Sequence, residues 1–230
     1  MKALICGASG GLATALTEAL LPLKWDLDLV TRGFRLDRVQ SRFASELSTG
    51  HVRLFAVDHD YSEFNCSERY DAHFFMPALF SPSPLTAMDP DRITEEIDVG
   101  LVSQIQLTRK LLVTFPPQLN ERRDFCYIGS TSAYAGFANT SVYCAVKHGL
   151  LGFVRAMNDE YMKSDVRFWL FSMGTMNTEM GAQLVGQDSA SFLQPAEVAK
   201  RMVGAVSSQS NVFEPEILMR RRSIRMKEKE

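Results

Sequence analysis

The chain predicts a single α/β domain, doubly wound around a mainly parallel sheet of about seven strands. Three observations lead there. Short apolar runs alternate with helix-periodic stretches along the chain, a glycine-rich turn follows the first run, and 230 residues at 46% hydrophobic content can fill one large core. No internal repeat or low-complexity linker divides residues 1–230.

Residues 3–6 (Ala-Leu-Ile-Cys) read as a buried strand, and 12–21 as a helix that Pro22 helps to end. Residues 27–31 form the second strand. Leu36, Val39, Phe43 and Leu47 then recur at three- and four-residue spacing, which predicts one amphipathic helix before a strand at 51–57. Residues 71–76 are the fourth strand, Ile93, Ile97, Leu101 and Ile105 stripe a long helix, and 125–129 form the fifth strand. A helix at 142–162, a strand at 166–171, a proline-initiated helix at 195–206 and a last strand at 215–219 complete the series. Only twelve residues separate Asp58 from Asp71, too few for a full helical crossover. Residues 220–230, with Arg220, Arg221, Arg222, Arg225, Lys227 and Lys229 against Glu228 and Glu230, read as a solvated charged tail.

A net charge of −2 offers no global attraction to nucleic acid or to an anionic membrane. No apolar run reaches the length of a membrane span, and the first residues lack the pattern of a signal peptide. Cys6, Cys66, Cys126 and Cys144 form no CxxC pair, which predicts reduced thiols in a cytoplasmic protein. His51, His59, His73 and His148 show no metal-ligand spacing, so no metal is expected and surface or loop positions are their default.

Gly7-Ala8-Ser9-Gly10-Gly11-Leu12-Ala13 joins the first strand to the first helix, the context that a dinucleotide fingerprint requires. Glycines let backbone N–H groups approach a pyrophosphate, and the helix N-terminus adds partial positive charge. An acidic residue ending the second strand would bind an adenosine ribose; Arg32 stands there instead and can clamp a 2′-phosphate, favouring NADP while leaving NAD possible. Asp58, after the third strand, either caps a turn or sits against the adenine.

Tyr143 and Lys147 lie four residues apart on a predicted helix and so share a face. A neighbouring ammonium lowers the pKa of a phenol toward the range useful for proton transfer. Ser130, thirteen residues earlier and just past the fifth strand, is placed to hold a substrate oxygen. A YxxxK pair alone is weak evidence. Its agreement in order and position with the glycine turn and the serine is what points to one sheet edge.

With those residues in place, the chain resembles the short-chain dehydrogenase/reductase family over nearly its full length. The resemblance implies a Rossmann-type domain, catalytic roles for Ser130, Tyr143 and Lys147, and cofactor contacts at Gly7, Ser9, Gly10, Gly11 and Leu12. Ser172-Met173-Gly174-Thr175-Met176-Asn177-Thr178 is similar to the stretch that holds the nicotinamide end, with Met173 replacing the usual proline. By that analogy Gly174, Met176 and Thr178 face the cofactor, and Asp58 matches the family's adenine-side aspartate. Two departures stand out. The usual Asn-Asn-Ala-Gly after the fourth strand is Phe75-Met76-Pro77-Ala78, and the family's asparagine in the long helix aligns with Gly100, where a bend or a backbone-held water is expected. Phe80, Tyr134, Phe137 and Met180 are candidate pocket walls or plain core.

The function expected is hydride transfer between NADP(H) and a small carbonyl or alcohol substrate, with reduction the favoured direction. The resemblance also implies a homodimer or homotetramer. The alternative is a dinucleotide-binding or interaction protein on the same fold with weakened catalysis.

Overall fold

A computed structural model, describing residues 1–58, 60–119, 121–210 and 212–223, places seven strands in one sheet. They are β1 (Lys2–Cys6), β2 (Asp26–Arg32), β3 (Val52–Val57), β4 (Ala72–Phe75), β5 (Arg123–Ile128), β6 (Val166–Met173) and β7 (Glu216–Met219). Their order is β3-β2-β1-β4-β5-β6-β7, and every pairing is parallel. Parallel pairing requires crossovers, and helices accordingly cover both faces.

Alternation along each strand sends neighbouring side chains to opposite layers. Ile5 and Phe171 pack with Leu12, Leu16 and Leu20 of α1 (Gly11–Leu20) and with Val198 and Met202 of α7 (Pro195–Ser207). Leu4, Phe125 and Leu170 pack on the other face with Leu107 and Leu111, and with Leu150 and Val154 of α6 (Ser141–Glu160). Burying a Leu or Phe side chain contributes about 1.5–3 kcal/mol, so these two layers dominate the stability of the sheet.

The amphipathic stretch from Leu36 is two helices, α2 (Leu36–Arg42) and α3 (Ala44–Ser48), because Phe43 leaves the helical region at φ −116, ψ 29 while its ring enters the core. The short crossover between β3 and β4 holds a single turn at Tyr61–Glu63 in place of a helix. The long helix is also divided. α4 (Pro90–Ile97) continues through a wide π turn, Asp98–Val102, into α5 (Ser103–Thr114). The expected irregularity at Gly100 is therefore this turn.

Packing explains the glycine there. A Cβ on Gly100 would come 2.6 Å from Cγ1 of Val146, and one on Gly149 would come 2.8 Å from Cδ2 of Leu101, so α6 and the π turn interlock. Two histidine and tail expectations need correction. His73 is not a surface residue: it is wholly buried in β4 with its ring stacked 4.2 Å from that of Phe125. The tail begins packed, since Arg221 Nη1 donates to Gln187 Oε1 at 2.8 Å and its guanidinium lies over the Phe192 ring. Residues 224–230 of the expected tail, and His59, lie outside the described residues.

Candidate active site

The carboxyl ends of the strands gather the sequence motifs at one edge, next to the switch point where β1 and β4 lie side by side but lead to crossovers in opposite directions. Gly7 and Ala8 donate to the Val30 carbonyl at 2.9 and 3.1 Å, which bends the chain off β1. Gly7 has φ 78, and a Cβ there would meet Pro77 N at 3.0 Å, so both the turn and the close approach require glycine. Gly10 and Gly11 are exposed, Ser9 is half-buried, and Leu12 is buried, leaving only its backbone for a ligand. Gly10 precedes α1 at the capping position and offers no side-chain cap. The first-turn amides of α1 thus point at the cleft with no protein acceptor supplied by a cap, which fits a dinucleotide pyrophosphate.

Thr178 reaches the same turn: its Cγ2 is 3.0 Å from where a Gly11 Cβ would stand, and its Oγ1 accepts from Gly181 N–H at 3.2 Å. Gly174 is tied to β7 through the Met219 carbonyl, and Met176 bridges to Leu193. The loop that departs from Asn-Asn-Ala-Gly is secured by a residue that sequence reasoning missed. Gln104 Nε2 donates to the Pro77 carbonyl at 2.8 Å and to the Gly100 carbonyl at 3.0 Å, binding the π turn to the loop after β4.

Ser130, Tyr143 and Lys147 converge past β5. Ser130 begins the turn Thr131–Ala133, where its Oγ accepts from Ser132 N–H at 3.1 Å. Lys147 is 1% exposed; its Nζ donates to the Ile128 carbonyl at 2.7 Å and lies 5.4 Å from the centroid of the Tyr143 ring. Phe80 closes over that ring edge-on at 4.9 Å. Burial pushes the Tyr143 phenol up to about 12, against the downward pull of Ser130, and pulls the Lys147 ammonium down to about 8. The sequence expectation of a phenol lowered by Lys147 is thus reversed in the net shift, because desolvation outweighs the favourable contacts. Of the other candidate walls, Phe137 is 52% exposed, Met180 half-buried, and Tyr134 turned away to donate to Glu216 Oε2 at 3.0 Å.

Arg32 ends β2 at the cleft, but it already has partners: Nη1 pairs with Glu95 Oε1 at 3.2 Å and the guanidinium lies 4.8 Å from the Phe34 ring centroid. Arg35 and Arg38 face Glu179, the residue after Thr178, at 3.7 and 2.5 Å. Asp58 is exposed at the end of β3. Glu95, Glu179, Arg35 and Arg38 gave no signal in the sequence, because each meets its partner from a distant element. Among the described residues, no group of three His, Cys, Asp or Glu side chains could hold a metal, and no helix is long and apolar enough to cross a membrane.

The family model described as short chain dehydrogenase matches residues 78–189, the span carrying Ser130, Tyr143 and Lys147. Over that span, just under half of the chain, the sequence is similar to the short-chain dehydrogenases. Among curated relatives, the inactive 2-(S)-hydroxypropyl-CoM dehydrogenase 2 of Xanthobacter autotrophicus is 30% identical over 92 residues, 40% of each chain. The 3-oxoacyl-acyl-carrier-protein reductase of Bos taurus is 25% identical over 78% of this chain and 77% of the relative. The match spans about two-fifths of the length of the first of these relatives. Among solved structures, a short-chain dehydrogenase/reductase from Vibrio parahaemolyticus superposes with a TM-score of 0.80 at 21% identity, covering 96% of this chain and 100% of that one. An alcohol dehydrogenase from Thermococcus sibiricus, complexed with 5-hydroxy-NADP, gives 0.78 at 20% identity, covering 94% of both chains. Both structures share the fold of this chain.

Proposed function

We propose that the chain is an NADP(H)-dependent reductase of small carbonyl compounds, with NAD(H) the weaker cofactor. The observation that carries this reading is the convergence of Ser130, Tyr143 and Lys147 beside a glycine turn that Thr178 also touches. When bound, the nicotinamide supplies the hydride to the carbonyl carbon. Tyr143 donates its proton to the oxygen, and Ser130 donates a hydrogen bond that steadies the developing alkoxide. A phenol pushed up to about 12 stays protonated through the neutral range, which suits a proton donor better than a base and favours reduction. By family resemblance Lys147 holds the nicotinamide ribose. Gly7, Ser9, Gly10, Gly11 and Leu12 would take the pyrophosphate, Gly174, Met176 and Thr178 the nicotinamide end, and Asp58 the adenine side.

NADP preference rests on Arg32, which would exchange Glu95 for a 2′-phosphate. Four buried free thiols support a reducing compartment such as the cytoplasm. Association through α4, α5 and α6 into a homodimer or homotetramer is the oligomer we favour; Val113 of α5, 63% exposed, supports it, and light scattering tests it.

The decisive assay measures NADPH and NADH oxidation against a panel of aldehydes and ketones, with Tyr143→Phe as control. Turnover that the variant loses supports the reductase. A wild-type protein that binds NADPH but reduces nothing supports the second reading, a catalytically weakened binding protein, which the pairing of Arg32 with Glu95 favours. Faster turnover with NADH overturns the role of Arg32.

A further inference from the structure

Glu96 is the one carboxylate buried beside Tyr143 and Lys147 among the described residues, and the reaction proposed above gives it no task. It is 1% exposed, and neither of its carboxylate oxygens has a hydrogen-bond partner among the described residues. A carboxylate in a dry interior is costly, and it stays charged only beside a compensating charge.

Helix geometry shows which charge that is. Glu96 and Gly100 lie four residues apart on one face, and Gly100 is the hollow that receives Val146 of α6. α4 and α6 both follow parallel strands on the same side of the sheet, so they run in the same direction. One turn before Gly100 is therefore level with one turn before Val146, the level of Tyr143. Side chains lean toward the helix N-terminus, which brings the Lys147 ammonium back to that level, over the Tyr143 ring.

The other charged groups around Glu96 have partners elsewhere. On its own helix, Arg92 Nε donates to Ser81 Oγ and its Nη1 to Glu95 Oε2, both at 2.7 Å, while Glu95 also holds Arg32. Ser81, from the loop after β4, accepts from Arg92 and keeps its own hydroxyl proton on the side of Glu96, a neutral contact that supplies no charge. On α6 there remain neutral Tyr143 and cationic Lys147, whose side chain has a carbonyl as its hydrogen-bond partner and, among the described residues, no carboxylate within ion-pair distance. Burial raises the Glu96 carboxyl, opposed first by the Ser81 hydroxyl and then by the charges of Arg92 and Lys147, and Glu96 in turn supports the charge on Lys147.

We infer that Glu96 is the buried counter-charge of Lys147, a positioning residue that keeps the lysine cationic beneath Tyr143 and so forms a fourth member of the site where the family carries its helix asparagine one turn later. This assignment of a catalytic consequence rests on the reductase reading, whereas the pairing of the two charges does not. The test separates them. Lys147 is titrated by NMR of labelled lysine side chains in the full chain, its resonance identified by its loss in Lys147→Met. In Glu96→Gln the Lys147 midpoint falls by about one pH unit, the shift expected for removing a nearby opposite charge, and Glu96→Asp restores part of it. A midpoint unchanged in a folded Glu96→Gln protein overturns the pairing. Should that variant not fold, the Glu96 carboxyl is titrated in wild type and in Lys147→Met: a midpoint that rises with loss of the cation supports the pair, and an unmoved one overturns it. In the reductase assay, the alkaline limb of the kcat/KM profile shifts down with the lysine midpoint; a limb that stays while the midpoint moves removes the catalytic role and leaves the pairing. A wild type without turnover removes the reductase reading alone, since the NMR titration still decides the pair.

Discussion

The two ends of the sheet bury carboxylates in opposite ways. At the amino end, Asp124 is 1% exposed yet accepts from Arg167 Nε at 2.7 Å, Trp169 Nε1 at 2.6 Å and Arg122 Nε at 3.3 Å. Asp28, also 1% exposed, accepts from Arg53 twice, at 2.8 and 2.6 Å, and from the Tyr70 hydroxyl at 2.5 Å. At the carboxyl end, Glu96 is as deeply buried and has no hydrogen-bond partner among the described residues. Thr31 and Ser172 leave orphaned hydroxyls near the same edge. Satisfied charges hold a fold together, whereas unsatisfied ones are tolerated where chemistry uses them. The amino end has its own exceptions among the described residues: Arg123, whose Nε and Nη2 lack partners while Nη1 donates to the Phe115 carbonyl at 2.5 Å, and His73, whose Nε2 has none.

Substitutions at the two ends should therefore fail differently. Tyr143→Phe is expected to lower turnover by roughly 10²–10⁴-fold, the worth of a positioned general acid, with the urea midpoint unchanged; a variant retaining wild-type turnover would break the contrast. Asp124→Ala should do the reverse, losing about 3–5 kcal/mol of stability as Arg167 is stranded, with turnover per folded molecule preserved. Urea denaturation alongside steady-state kinetics reads both.

Gly100→Ala joins the two behaviours, because its added methyl strikes Val146 next to Lys147. Overpacking of this kind costs about 1–3 kcal/mol, and Val146→Ala on the same chain should recover most of it. A thermal scan that finds Gly100→Ala as stable as wild type would mean that the π turn yields freely.

His73 gives the amino end a pH signature. Burial holds its imidazole down at about 3, below the ordinary value of 6.5. The unfolded chain then binds the extra proton between those values, so stability is full above about 6.5 and declines as pH falls toward 3. His73→Phe, which keeps the stack on Phe125, should flatten the dependence of unfolding free energy on pH between about 6.5 and 4.5. An unchanged slope would assign the acid sensitivity to carboxylates instead.

The smallest effect concerns cofactor choice. Arg32→Ala should raise the KM for NADPH about tenfold, the scale of one charge-assisted hydrogen bond, and leave that for NADH nearly unchanged. Glu95→Gln should move the NADPH value the other way by freeing Arg32, and an effect of equal size on both cofactors would show that neither residue reads the phosphate.

Some of this was legible from local spacing. The glycine turn, the Tyr143 and Lys147 face and the place of Ser130 each depend on residues within one strand, turn or helix, where periodicity dictates direction. The trimmed crossover after Asp58 followed from chain length alone. The break at Phe43 was not legible, since its apolar spacing suits a continuous helix and the core captures the ring regardless. His73 was likewise missed, because a polar residue in a short strand carries no sign of the aromatic ring stacked on it from the next strand.

The sequence by itself determined the alternation of strands and helices and the edge at which they would present a glycine turn, a serine, a tyrosine and a lysine. These follow from short-range rules of period, breakers and helix ends. Tertiary structure alone decided that Arg32 meets Glu95 across 63 positions, that Gln104 secures the loop after β4, and that Glu96 is sealed in the interior. Each depends on how closely two elements approach, as where Val146 meets Gly100 and Leu101 meets Gly149, and such a distance is invisible to any rule read along one element.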